Sequence, residues 1–72
     1  MKVQIKTEYI KLDQLLKYMG VAENGSHAKE IIIDEEVKVN GEVCTMRGKK
    51  LYPGDKFTYE GQTYLITIHA TL

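Results

Sequence analysis

The 72-residue sequence is short of most features that announce an activity. It has a single cysteine, Cys44, so no internal disulfide can form, and this usage fits a reducing, cytoplasmic compartment. No apolar run approaches the roughly 20 residues that a membrane helix needs. The first residues, MKVQIKTEYIK, alternate apolar and polar side chains and read as a strand rather than a secretory signal. Repeats, low-complexity tracts and Gly/Ser linkers are missing, so residues 1–72 are read as one domain. A chain of this length buries only about 60% of the surface its unfolded form exposes, and its core must be thin.

Reactive chemistry is sparse as well. The two histidines, His27 and His69, and Cys44 do not stand at zinc-ligand spacing. Asp34, Glu35 and Glu36 are adjacent, without the alternating ligands and glycine of a calcium loop. There is no Gly-rich nucleotide fingerprint. The last residues, His69-Ala70-Thr71-Leu72, are not the Gly-Gly terminus of a sulfur carrier or ubiquitin-like modifier. The expectation is a non-enzyme with no catalytic residue, no metal and no cofactor. A thiolate pair of Cys44 with either histidine is disfavoured by the strand register derived below.

What the chain does have is segregated charge. Its formal net charge is zero, yet Lys38–Lys56 holds five basic residues (Lys38, Arg47, Lys49, Lys50, Lys56) against two acids, Glu42 and Asp55. The acids Glu30, Asp34, Glu35 and Glu36 cluster elsewhere. Such separation suits an electrostatic docking face. On charge alone, a merely solvated surface fits equally well.

The periodicities predict the elements. Val3 and Ile5 alternate within a strand over residues 2–6. Leu12, Leu15, Leu16 and Met19 form the stripe of a short amphipathic helix that Gly20 ends in the left-handed conformation. Asp13 suits the positive end of its dipole. Asn24 or Ser26 caps a second helix, whose stripe is Ala28, Ile31 and Ile32, extended by Ile33. The period then changes to two around Asn40-Gly41, a type I′ hairpin signal. That turn pairs Val39 with Glu42, Lys38 with Val43 and Val37 with Cys44. Val37, Val39, Cys44 and Met46 then share the core side, while Lys38, Val43, Thr45 and Arg47 share the other. Pro53-Gly54-Asp55 is a turn. A last hairpin about Glu60-Gly61 pairs Phe57 with Tyr64, and Tyr59, Ile66 and Ile68 lie on their side. The expected fold is α+β: two short packed helices against a small, mostly antiparallel sheet.

Two short helices, a VNG hairpin and a PGD turn, in that order and spacing, resemble the alpha-L RNA-binding motif, the domain named after ribosomal small-subunit protein S-four. The matching residues are KLDQLLKYMG, the AK of the second helix, VKVNGEV and PGD, from Lys11 to about Phe57. The string MRGKKLYPGD looks most like the stand-alone YaaA-like members of that family. The resemblance implies binding of structured RNA, ribosomal RNA in the first place, in ribosome assembly or quality control; the further expectations are ribosomal proteins as partners, no membrane, and a monomer. It carries Lys11, Lys29, Arg47, Lys49 and Lys50 onto the RNA-binding face. Two positions depart from the family pattern: Gly25 or Ser26 stands where an arginine is common, and Glu35 replaces a glycine.

Physical reading extends the set. Gly25 and Ser26 are small enough to let a phosphate approach free N–H groups at the second helix's start, and Lys38 shares a face with Arg47. His27 is either a further phosphate contact or a surface residue of the first turn. Tyr9, Tyr18 and Tyr52 either stack on an unpaired base or pack at the rim of the core. The alternative function is a protein-interaction module whose basic hairpin docks on an acidic partner.

Overall fold

The computed structural model describes residues 1–68, so the expectations for His69 and the residues after it lie outside the described part. Chain order is β1 (Lys2–Ile5), β2 (Ile10–Lys11), α1 (Leu12–Tyr18), α2 (Gly25–Ile33), β3 (Val37–Val39), β4 (Glu42–Val43), β5 (Lys50–Leu51), β6 (Lys56–Tyr59) and β7 (Gln62–Ile68). Five strands form one mixed sheet in the order β1-β7-β6-β3-β4, parallel at β1–β7 and antiparallel elsewhere. Strands β2 and β5 form a separate antiparallel pair that strand periodicity does not reveal, because two residues are too few to alternate.

One core joins the layers. Leu12, Leu15 and Leu16 of α1 and Ala28, Ile31 and Ile32 of α2 are buried with Ile5, Val37, Phe57 and Ile66 of the sheet and Leu51 of β5. Burying each of the larger side chains contributes about 1.5–3 kcal/mol. No charged or polar side chain is buried among the described residues, so every lysine and Arg47 reaches solvent.

The turns form as their residues require. Asn40 (φ 52°) and Gly41 (φ 86°) both adopt the left-handed conformation of a type I′ turn, and Glu60 and Gly61 repeat it. The register places Val39 opposite Glu42, Lys38 opposite Val43 and Phe57 opposite Tyr64, as predicted. Two expectations fail. Strand β4 stops at Val43, so alternation cannot be carried to Met46, which is 67% exposed, nor to Arg47, which lies in a loop and does not share Lys38's strand face. Cys44 is half-buried against the core. Ile33 is 55% exposed, since it falls one position past the Ile31–Ile32 edge of the buried stripe and rotates toward solvent.

Both helices end in the same motif, with different residues. After α1, Gly20 (φ 79°) donates to the Lys17 carbonyl and Val21 to the Leu16 carbonyl. After α2, Glu35 (φ 60°) donates to Ile32 and Glu36 to Ile31. These are Schellman bonds, and their left-handed position favours glycine. Glutamate there carries a Cβ penalty, and its charge faces the negative end of the helix dipole. Glu35→Gly should therefore stabilise the chain by about 1 kcal/mol, after the glycine's own entropic cost, raising Tm by about 4–8 °C. Gly20→Ala should shift it the opposite way, although open space surrounds that position. Urea unfolding with an unchanged slope checks both.

Candidate functional site

The start of α1 is assembled from a distant loop. Its first two N–H groups donate across the chain, Leu12 to the Lys49 carbonyl (2.8 Å) and Asp13 to the Arg47 carbonyl (3.1 Å). The third, on Gln14, donates to Asp13 Oδ1 (2.8 Å). Lys11, which precedes the helix, supplies no side-chain cap. Two of the orphan donors that a helix start carries are thus satisfied by the basic loop's backbone and a third by Asp13. That bonding ties Arg47 and Lys49 to the helix end, and β2–β5 pairing sets Lys11 directly opposite Lys50.

Four basic side chains therefore share one end of α1. Like charges directly opposite on paired strands cost roughly 0.2–1 kcal/mol, and an anion between Lys11 and Lys50 would reverse the sign. The Lys50 ammonium lies 4.8 Å from the centre of the Tyr9 ring, which packs at 5.6 Å against Tyr52. This cluster can hold several phosphates, with Arg47 offering a bidentate fork and the lysines acting as point charges.

The two motif turns position this loop by holding each other. Asp55 Oδ1 accepts from Asn40 Nδ2 (3.2 Å) and Asp55 Oδ2 from the Tyr52 N–H (2.8 Å). Asn40 Oδ1 accepts from the Lys56 N–H (2.9 Å), and the Asn40 N–H donates to the Lys56 carbonyl (2.8 Å). Gly54 takes φ 101° and Asp55 donates to the Tyr52 carbonyl (3.0 Å), closing the turn with Pro53 at its second position.

At α2 the arrangement differs. Asn24 is the cap, its Oδ1 accepting from the His27 N–H (2.9 Å), while His27 Nδ1 accepts from the Glu23 N–H (3.2 Å). His27 thus has a local capping role, which its position in the first turn did not reveal. The N–H groups of Gly25 and Ser26 have no acceptor among the described residues. Lys29 is exposed one turn beyond Gly25. This site follows the far end of α1, whose seven residues span about 10 Å at about 1.5 Å each.

The predicted residues consequently occupy three places. Lys11, Arg47, Lys49 and Lys50 are together. Gly25, Ser26 and Lys29 form a second site along α1. Lys38 stands on the outer face of the sheet, opposite Thr58 and beside Val43, where register adds Lys2 and Lys56. On the outer side of α1, Tyr9, Lys11 and Tyr18, which sequence reasoning named, line a groove with Gln14 and Lys17, which it missed. Their spacing, complementary to the buried leucines, was the available signal. The acids lie apart: Glu36 and Glu60 flank Tyr59, whose hydroxyl is pushed above its ordinary value by partial burial first and then by those two charges. No metal-binding group of three or more His, Cys, Asp or Glu occurs among the described residues, and none of the described helices is long and apolar enough to cross a membrane.

Comparison with known proteins gives a consistent relationship. The S4 domain family matches this chain over residues 3–67. The chain is 44% identical over 59 residues to the probable ribosome maturation protein RlbA of Bacillus subtilis, covering 82% of this chain and 83% of that protein. It is 34% identical over 58 residues to YbcJ of Escherichia coli, covering 81% and 83%. The solution structure of that Escherichia coli protein, described as revealing an alfaL motif involved in RNA-binding, superposes with a TM-score of 0.66 at 30% identity, over 92% of this chain and 85% of that one.

The Asn40–Asp55 contact makes the VNG and PGD turns a single unit. A double-mutant cycle of Asn40→Gly, which keeps the turn conformation, and Asp55→Ala should give a coupling energy of about 1 kcal/mol in urea unfolding. Additive losses would mean that the two turns stand independently.

Proposed function

This chain belongs to the S4 domain family, and on that premise we propose that it binds structured RNA, ribosomal RNA in the first place, in ribosome maturation and without catalysis. The observation that carries the reading is the hydrogen-bonded union of the basic loop with the start of α1, which concentrates Lys11, Arg47, Lys49 and Lys50. Gly25, Ser26 and Lys29 supply a second phosphate contact at the start of α2. RNA phosphates relieve the Lys11–Lys50 repulsion, and the acids after α2 repel RNA that approaches from the wrong side. Recognition of this kind follows backbone and shape before base identity. The name of the Bacillus subtilis relative supports a role in ribosome maturation, and the description of the Escherichia coli structure supports RNA binding. Work on ribosomes puts the protein in the cytoplasm, and one copy presents the whole patch, so a monomer suffices. Lys38, on the other side of the sheet, lies outside the main grip.

Five phosphate contacts, by Lys11, Lys29, Arg47, Lys49 and Lys50, give a logarithmic salt slope of about −3.5 at about −0.7 each. Replacing Arg47, Lys49 and Lys50 with Gln should reduce it to about −1.4, while Lys38→Gln leaves it nearly unchanged. Fluorescence anisotropy on a structured ribosomal RNA fragment at several salt concentrations measures both. A folded triple variant with wild-type affinity and slope overturns the assignment, and the search then turns to an acidic protein partner.

A further inference from the structure

The groove outside α1 is a different kind of surface from the phosphate grip. It is an open groove between the 7–11 segment and the solvent side of α1, with Tyr9, Lys11, Gln14, Lys17 and Tyr18 on its walls. Tyr18 is 58% exposed, yet its hydroxyl donates to the Gln4 carbonyl at 2.7 Å. Gln4 lies in β1, an edge strand of the sheet. The bond pins an exposed aromatic ring to the rigid sheet, so the ring is already oriented before anything meets it. Lys17 directly precedes Tyr18, Lys11 lies about two turns back along the same groove, and Gln14, between Lys11 and Tyr18, carries both a hydrogen-bond donor and an acceptor. The acid in the groove, Glu8, keeps phosphate from its own end.

A fixed, solvent-facing aromatic with two cations along the same groove matches one ligand chemistry, a planar base carried on a phosphate backbone. We propose that this groove holds one unpaired nucleotide of the bound RNA, its base stacked on Tyr18 and its flanking phosphates held by Lys11 and Lys17. The inference rests on the RNA-binding reading and deepens it: Lys11 belongs to both surfaces, so a strand leaving the phosphate grip passes directly into the groove. The preferred RNA is then a helix interrupted by a bulged or looped nucleotide. The ring is the platform, and the hydroxyl bond to Gln4 positions it.

The test compares two short RNA hairpins, one fully paired and one with a single bulged 2-aminopurine, titrated against wild type, Tyr18→Leu and Tyr18→Phe. Wild type should bind the bulged hairpin about 5- to 150-fold more tightly, the range expected for one base–aromatic stack, and should change its 2-aminopurine fluorescence. Tyr18→Leu should lose that preference and the fluorescence change while keeping its affinity for the paired hairpin, and Tyr18→Phe should keep much of the preference. Should Tyr18→Leu fail to fold, photo-crosslinking of wild type to a hairpin bulged with 5-iodouridine decides: a crosslink at Tyr18 supports the site, and one placed only elsewhere overturns it. Equal affinity of wild type for both hairpins, or an unchanged preference in folded Tyr18→Leu, overturns the nucleotide site and leaves the phosphate grip standing. Failure of wild type to bind either hairpin at low salt overturns the RNA-binding reading itself.

Discussion

The two hydrogen bonds from the first residues of α1 to the carbonyls of Arg47 and Lys49 are the joint on which the structure turns. A seven-residue helix is too short to hold itself in water. It persists because its leucines enter the core and because its first donors are satisfied by a loop more than thirty positions away in sequence. The same two bonds give that loop its place. The irregular loop between β4 and β5, with Gly48 in it, would otherwise have little reason to settle, and ordering it costs conformational entropy. Stability and charge placement therefore share one set of contacts, and the side chains stay free because only backbone is used.

Electrostatics explains why a chain of zero net charge suits this arrangement. Lys11 and Lys50 face each other at a cost, and none of the basic groups gains burial in return. Meanwhile the acids collect after α2, at the negative end of its dipole, with Glu35 held in a conformation that glycine would occupy more cheaply. Both features oppose stability locally, and both sharpen the polarity of the surface. With Lys11, Arg47, Lys49 and Lys50 at one end of α1 and the acids after α2, the surface is polar although the chain is neutral, and zero net charge limits bulk association with nucleic acid.

Much of the fold was legible because it is written in short-range terms. Leu12, Leu15 and Leu16 recur at helical spacing, Asn40-Gly41 demands positive φ at two successive positions, and the turn type then sets which residues oppose each other. Gly20 and Asn24 mark helix ends through the backbone geometry and the donors available there. The order of the VNG and PGD turns pointed to the family, and the bond between Asn40 and Asp55 gives that pairing a physical basis. Reading failed where a period was carried past the element that generated it. Met46 and Arg47 follow a strand that ends at Val43, and Ile33 lies just beyond the stripe of its helix.

The sequence by itself determined the helices, the hairpin registers, the kinds of turn and the inventory of basic residues, because each depends on neighbours within a few positions. Only the tertiary structure decided which of those residues lie together. It joined Lys11 to Lys50, set Lys38 on the far side of the sheet, used the α1 donors on a remote backbone and pinned Tyr18 to Gln4. Those outcomes rest on how the helices lie on the sheet and where a strand edge remains unpaired, and no local period encodes either.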